Sequence, residues 1–373
     1  MGVYLVIESL AIENLRGIKK LSVSGLTDVN IFIGRNGAGK STILEAIYLA
    51  SAFFGELDPL RNKSKLDYVV ERRTGRGSWQ NNRDILWYTK NTSEDITIAL
   101  KFRTGNTLKF KVLYETPLGK IPLLLEVPEE VARKAGIPSP SRLIYLWESE
   151  LVELIGRTIQ PLPHGYRDYN SVVSMLDKEA MYLRGVTLLD SRLDVKSVEQ
   201  RVWRSLLDRR LDKAVVDLVR EEYEPSVEGI SYKPSGTEFV LSILLPHTSV
   251  EIDGLGDGAR MAVFYASVLA LLSDTGVLIE DPEIHQHPGG LTTLLKFTLK
   301  MAKEKKLQLF ITTHSLELVK IARELTSKYG LDLRVLYVER DHETGLVDVR
   351  ALERVDLEVL EKLGLDPRLL HIL

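Results

Sequence analysis

The 373-residue chain, 44% hydrophobic and 27% charged, has an ordinary globular composition and is long enough to bury one large core or two lobes. Its formal charge of −3 removes any global electrostatic case for nucleic acid, so such a contact must rest on a local patch. It has no cysteine, which excludes disulfides, thiolate zinc sites and cysteine nucleophiles and fits a cytoplasmic protein.

From Tyr4 to Ile33 short β-rich runs alternate with turn residues, and the last, Val29-Asn30-Ile31-Phe32-Ile33, feeds into Gly34-Arg35-Asn36-Gly37-Ala38-Gly39-Lys40-Ser41-Thr42. Ser41 to Phe54 then has helical apolar spacing, so the glycines lie between a strand and a helix. The opening residues carry no basic leader, and no stretch reaches the roughly 18 apolar residues of a membrane span. A cytoplasmic chain without membrane contact is the expectation. The polar interval from Asp58 to Glu94 holds Arg61, Lys63, Lys65, Arg72, Arg73, Arg76, Arg83 and Trp79. It reads either as a solvated surface loop or as a phosphate-tracking loop through which the Arg61–Arg83 region touches DNA.

Strand-like runs return at Ile96–Leu100, Leu108–Leu113 and Leu123–Val127. Residues 128–224 read as a mainly helical insertion whose longest helix runs from Asp194 to Glu222, its Arg201, Arg204, Arg209 and Arg210 forming a salt-bridged exposed face with Asp208 and Asp212. The final third alternates helix and strand: helix from Gly258, strand Val277–Glu280, helix from Pro288, strand Leu307–Thr312, helix from Ser315, strand Leu333–Glu339. That alternation predicts a parallel sheet flanked by helices. The expected division is 1–127 and 225–373 as two parts of one nucleotide-binding α/β core with an antiparallel β lobe, and 128–224 inserted between them.

Four motifs carry chemistry. Gly34, Gly37 and Gly39 let the backbone turn tightly and aim amide hydrogens at phosphate oxygens, with the following helix adding its positive end. Lys40 is placed for the β- and γ-phosphates of ATP and Ser41 for Mg²⁺. The apolar strand Val277–Ile279 ends in Glu280 and Asp281, the one suited to the metal side through water and the other to general base. The strand Leu309–Ile311 ends in Thr312-Thr313-His314, which offers His314 as a γ-phosphate sensor. Gly254-Leu255-Gly256-Asp257-Gly258 precedes a helix and by itself is more simply a turn. His285 and His287 near Glu283 could suggest a metal site, but read more simply as part of an acidic turn.

In this order the motifs resemble those of the ABC-class ATPases, in the branch holding the SMC and RecF-like DNA-repair ATPases and the OLD (overcoming lysogenization defect) family. Ile12-Glu13-Asn14-Leu15-Arg16-Gly17-Ile18, the glycine loop, Leu255-Gly256-Asp257-Gly258 at the signature position and Glu280-Asp281-Pro282-Glu283 carry the likeness. The resemblance implies an ABC-head fold in which two ATPs are enclosed between two copies. Leu255, Gly256, Asp257 and Gly258 of one copy would close on the γ-phosphate held by the other, giving an ATP-dependent homodimer. It also implies that Arg16 lies near the phosphates. Three departures stand out: the Glu-Asp order, with a base one methylene short; a signature without serine; and no clear counterpart to the family's glutamine, for which Gln80 and Gln160 are the candidates. The implied work is DNA maintenance or genome defence, alone or with an effector or nuclease partner. The transporter-subunit reading suffers from the long stretch between Ser41 and Gly254. An OLD-type nuclease of its own lacks room after His314.

Overall fold

The computed structural model describes residues 5–114, 123–135, 142–145, 150–155, 158–161, 174–192, 195–235, 238–353, 355–356 and 359. In chain order, β1 (Ile7–Leu15), β2 (Ile18–Ser24) and β3 (Val29–Ile33) lead into α1 (Lys40–Ser51), α2 (Lys65–Thr74) and the single turn α3 (Trp79–Asn82). Then come β4 (Ile96–Phe102), β5 (Thr107–Val112), β6 (Leu123–Glu126), α4 (Glu129–Ala135), β7 (Arg142–Tyr145), β8 (Glu150–Ile155) and β9 (Thr158–Pro161). These are followed by α5 (Asp177–Gly185), β10 (Thr187–Leu189), α6 (Val195–Asp208), α7 (Asp212–Glu222), β11 (Gly229–Ser235), β12 (Glu238–Leu245) and β13 (Thr248–Glu251). The chain continues through α8 (Asp257–Leu271), β14 (Gly276–Glu280), α9 (Pro288–Lys305), β15 (Gln308–Thr312), α10 (Leu316–Tyr329), β16 (Leu333–Arg340) and β17 (Leu346–Leu352).

Among the described residues 14 strands form one sheet, ordered β10-β14-β15-β3-β16-β17-β2-β1-β4-β5-β6-β7-β8-β9, and β11-β12-β13 form a second. The half from β10 to β16 is parallel. From β1 outward to β9 the pairing is antiparallel. Both faces of the parallel half are covered, which is why β3, β14 and β15 are mainly apolar and buried along nearly their whole length, Asn30 in β3 included. Alternate side chains divide between two cores. Phe32, Leu278 and Phe310 join the cluster around α1, while Ile31, Ile279 and Ile311 join the cluster under α6 to α10. The helix α1 is buried almost all round because it is wedged between the parallel half and the antiparallel extension.

Three expectations change. The stretch 128–224 holds strands as well as the expected helices: beside α4 to α7, β7 to β9 extend the antiparallel sheet and β10 pairs in parallel with β14. The helix expected from Asp194 to Glu222 is two. Arg210 takes a left-handed φ of 56° and Leu211 N donates to Leu206 O at 3.0 Å, so the chain turns between α6 and α7. The polar interval from Asp58 to Glu94 folds back as α2 and α3 onto α1, with Trp79 2% exposed. A hairpin turning at Thr344-Gly345 joins β16 to β17, with Gly345 at φ 72°. Among the described residues no helix is long and apolar enough to cross a membrane.

Candidate active site

The loop Gly34–Gly39 leaves the C-terminal end of β3, the strand flanked on both sides by parallel neighbours. Gly34 has φ 143°, and a Cβ there would lie 2.2 Å from Val338 O of β16, so only glycine fits. Gly37 and Gly39 also take positive φ, and Gly39 caps α1. Arg35, Asn36 and Gly37 form the exposed lip, Ala38 and Thr42 are buried, and Ser41 is half-buried at the helix start. Buried Lys40 donates through Nζ to Gly34 O at 2.9 Å and Arg35 O at 3.1 Å. Burial lowers its pKa, opposed by the charges of Asp281, Glu283 and Glu280. Those three acids therefore share the field that Lys40 occupies.

They sit at the end of β14. Asp281 takes φ 46°, its amide donates to Thr312 O at 3.0 Å, and Thr312 Oγ1 donates to its Oδ1 at 3.3 Å. Burial raises the Asp281 carboxyl, and Glu283 adds to the rise, while His314 and Lys40 oppose it. Glu283, to which the sequence reading gave no role, accepts through Oε1 from Thr313 Oγ1 at 2.7 Å and His314 N at 2.8 Å. Its Oε2 is buried without a hydrogen bond. Parallel pairing of β14 with β15 and of β15 with β3 thus brings Lys40, the acids and the Thr312–His314 turn to one edge. The oxygen-only donors Ser41 and Glu280 suit Mg²⁺, a hard ion that keeps waters and phosphate oxygens as its other ligands. Among the described residues no group of three His, Asp or Glu side chains could hold a metal without such help. His287 instead caps α9, its Nδ1 accepting from Gly289 N at 3.4 Å.

Beside this edge lies a buried ion network missed in the sequence. Glu45, one turn along α1 from Ser41, is fully buried and pairs with Arg16, Arg72 and Arg73. Burial would raise its carboxyl, but Arg16, Arg73 and Arg72 hold it down at about 2. Arg72 also pairs with Asp190, just after β10, at 3.0 Å and with Glu280. Arg61 pairs with Asp58 at 3.0 Å and with Asp190 at 3.5 Å. This overturns the loop reading for Arg61, Arg72 and Trp79, which are inside the molecule; Arg73 and Arg76 remain exposed at the end of α2. Arg16 is held in this network, bonded to Glu45 Oε2 and Val69 O at 2.5 Å each.

At the signature position Gly256, φ 92°, caps α8, and Gly256 and Asp257 are exposed while Leu255 and Gly258 are half-buried. Gln286 Nε2 donates to Gly258 O at 2.9 Å, and a Cβ on Gly258 would lie 2.6 Å from His285 O. Asp257, Arg260, Asp281, His285 and Gln286 line a polar cavity of about 290 Å³ at this junction. Among the described residues these bonds tie the signature turn to the Pro282–Gln286 turn rather than to Lys40 or Ser41. Gln80 is exposed on α3, and Gln160 lies on β9, whose side chains are outside the described residues.

A strand–glycine loop–helix whose lysine faces the acidic end of a parallel strand two places across the sheet defines a P-loop ATPase. Residues 6–188 and 249–319 match the family described as AAA ATPase domain, and the chain belongs to that family. It is 22% identical over 342 residues to an ATP/GTP phosphatase of Helicobacter pylori, covering 85% of this chain and 87% of that one. It is 30% identical over 148 residues, 36% of each chain, to the DNA replication and repair protein RecF of Streptococcus thermophilus. In fold it is similar to an Smc head bound to the C-winged helix domain of ScpA, with a TM-score of 0.51 at 12% identity over 94% of this chain and 98% of that one. The chain is thus a P-loop ATPase, similar in part of its sequence to RecF and in its fold to an Smc head.

Proposed function

We propose that the chain hydrolyses Mg²⁺-ATP in a composite site closed by a second copy, and that this closure drives work on DNA or on an effector protein. The observation that carries the proposal is the convergence of Lys40 with Glu280, Asp281 and Glu283 at one edge of the parallel sheet. In this reading the amides from Gly34 to Thr42 cradle the phosphates, and Lys40 contacts the β- and γ-phosphates. Ser41, and Glu280 through water, would hold Mg²⁺, which when bound neutralises phosphate charge. Asp281 accepts the proton of the attacking water. Burial favours that role by making its carboxylate a stronger base, while its short side chain favours slow turnover. His314, whose amide is tied to Glu283, senses the γ-phosphate.

Dimerisation is supported by the signature turn. Gly256 and Asp257 are exposed at the start of a long helix, and the turn's own-chain bonds go to Gln286 rather than to the P-loop. Leu255 to Gly258 is then free to meet the γ-phosphate held by another copy. The name of the RecF relative supports a DNA-related role, and that of the Smc head structure supports a protein partner. An OLD-like ATPase working in genome defence with a partner's nuclease fits the same motifs. For DNA contact, Arg73 and Arg76 are the exposed arginines of the Arg61–Arg83 region, and Arg73 Nη2 lies 3.5 Å from Thr42 Oγ1 on the P-loop helix. The test is light scattering on Asp281→Asn. The mass should double from 42.1 kDa when Mg²⁺-ATP is added, and an unchanged mass refutes the closure.

A further inference from the structure

Arg72 is 2% exposed at its side chain and is bonded through each of its three nitrogens to a carboxylate on a different element. Nη1 donates to Glu45 on α1, Nε to Asp190 after β10, and Nη2 to Oε2 of Glu280 at the end of β14. Glu45 and Asp190 are fully buried, whereas the Glu280 side chain retains 15% exposure and is the member that reaches the open edge. Its Asp190 partner and its own main chain are anchored in turn. Tyr68 hydroxyl contacts Asp190 at 2.9 Å, and Arg192 Nη1 donates to the Arg72 carbonyl. A planar fork held on two fixed acids can present its third donor in only one direction.

We infer that Arg72 is a positioning residue for the metal side of the nucleotide site, fixing one oxygen of Glu280 so that the other faces Mg²⁺-ATP. The inference rests on the proposed role of Glu280 and goes beyond it by naming what sets that side chain. A fully buried cation among three carboxylates is a poor device for stability alone, since well-packed apolar residues of similar volume often do as well. Its geometry instead ties the P-loop helix, the β10 loop and the acidic strand into one unit, so the metal side and the phosphate side keep a common register.

The experiment measures the dissociation constant of a ribose-labelled fluorescent ATP in excess Mg²⁺ and in excess EDTA. The readout is the ratio of the two, the part of the affinity that depends on the metal. Glu280→Gln should reduce this ratio, and an unchanged ratio overturns the role of Glu280 and this inference together. Arg72→Lys keeps a positive charge but cannot span three acids. It should reduce the ratio about fivefold or more, with the EDTA value changed less than about twofold, and have no further effect on the ratio in Glu280→Gln. If Glu280→Gln reduces the ratio but Arg72→Lys leaves it alone, or weakens both conditions equally, Arg72 is structural only and the inference falls. If Arg72→Lys fails to fold, hydrogen exchange on the wild-type chain decides. By linkage, a pair that aids the metal must be strengthened by it. Adding Mg²⁺ to ATP-saturated protein should therefore slow amide exchange in the second half of α2, and unchanged exchange there overturns the inference.

Discussion

Replacing Glu45 with Gln removes the only acid that Arg16 and Arg73 bond and one of three that Arg72 bonds, among the described contacts. The carboxylate is held at about 2 against an ordinary 4.5, and that gap is worth roughly 3 kcal/mol of folding free energy. Breaking a buried pair by deleting one partner costs about 3–5 kcal/mol, because the cations left behind are desolvated and uncompensated. Both routes give a loss of about 3 kcal/mol or more at pH 7, read as a lower urea midpoint with an unchanged slope. The sign of the pH dependence follows from the depressed pKa. The stabilisation is fully present above about 4.5 and is lost as pH falls towards 2. The difference between wild type and Glu45→Gln should therefore shrink on acidification through that window. A difference below about 1 kcal/mol at pH 7, or one that does not change down to the acid limit of folding, refutes the picture of Glu45 as the anion that holds the three arginines.

Gly34→Ala should destabilise by about 2–5 kcal/mol in thermal or urea unfolding, since left-handed strain adds to a backbone clash with Val338 O that cannot be relieved by a side-chain shift. Gly37→Ala is the matched control, with positive φ but open space around it, and should lose only about 1–2 kcal/mol. Burial lowers the Lys65 ammonium to about 8 against Asp58's opposing charge, so the unfolded chain binds more protons between about 8 and 10.5 and stability should rise across that range. Lys65→Met, which removes the bond to Ser51 Oγ, should abolish that rise and leave the urea midpoint at pH 7 equal or higher; a persistent alkaline rise would place its origin elsewhere.

The nucleotide loop was legible because its function depends on local chain: three glycines, Lys40 and Ser41 do their work within nine residues of each other and between elements whose periodicity is plain. The acidic and polar strand ends were legible for the same reason, since β14 and β15 are apolar runs that stop abruptly. Arg72 was not. Its partners lie 27 and 208 residues away at Glu45 and Glu280, and an arginine in a polar stretch looks the same whether it meets water or three buried acids. The break between α6 and α7 was hidden because no glycine or proline marks it and apolar spacing continues on both sides. Glu283 stood in the acidic turn without a role of its own behind Glu280 and Asp281, although a third acid in the same turn beside a Thr-Thr-His strand end was a visible signal.

The placement of β3 between β15 and β16 has a consequence for how the protein is made. Val29–Ile33 leaves the ribosome long before Gln308–Thr312 and Leu333–Arg340, the two segments that complete its hydrogen-bonding edges. At about 5–20 residues per second, an apolar strand waits many seconds with two open edges. The phosphate-binding loop that follows it cannot be held in its final shape before then, because its first residue, Gly34, packs against the Val338 carbonyl with no room for a Cβ. Nucleotide added during synthesis should therefore stabilise only chains that already extend past Val338, which makes ATP binding a checkpoint on closure of the parallel sheet.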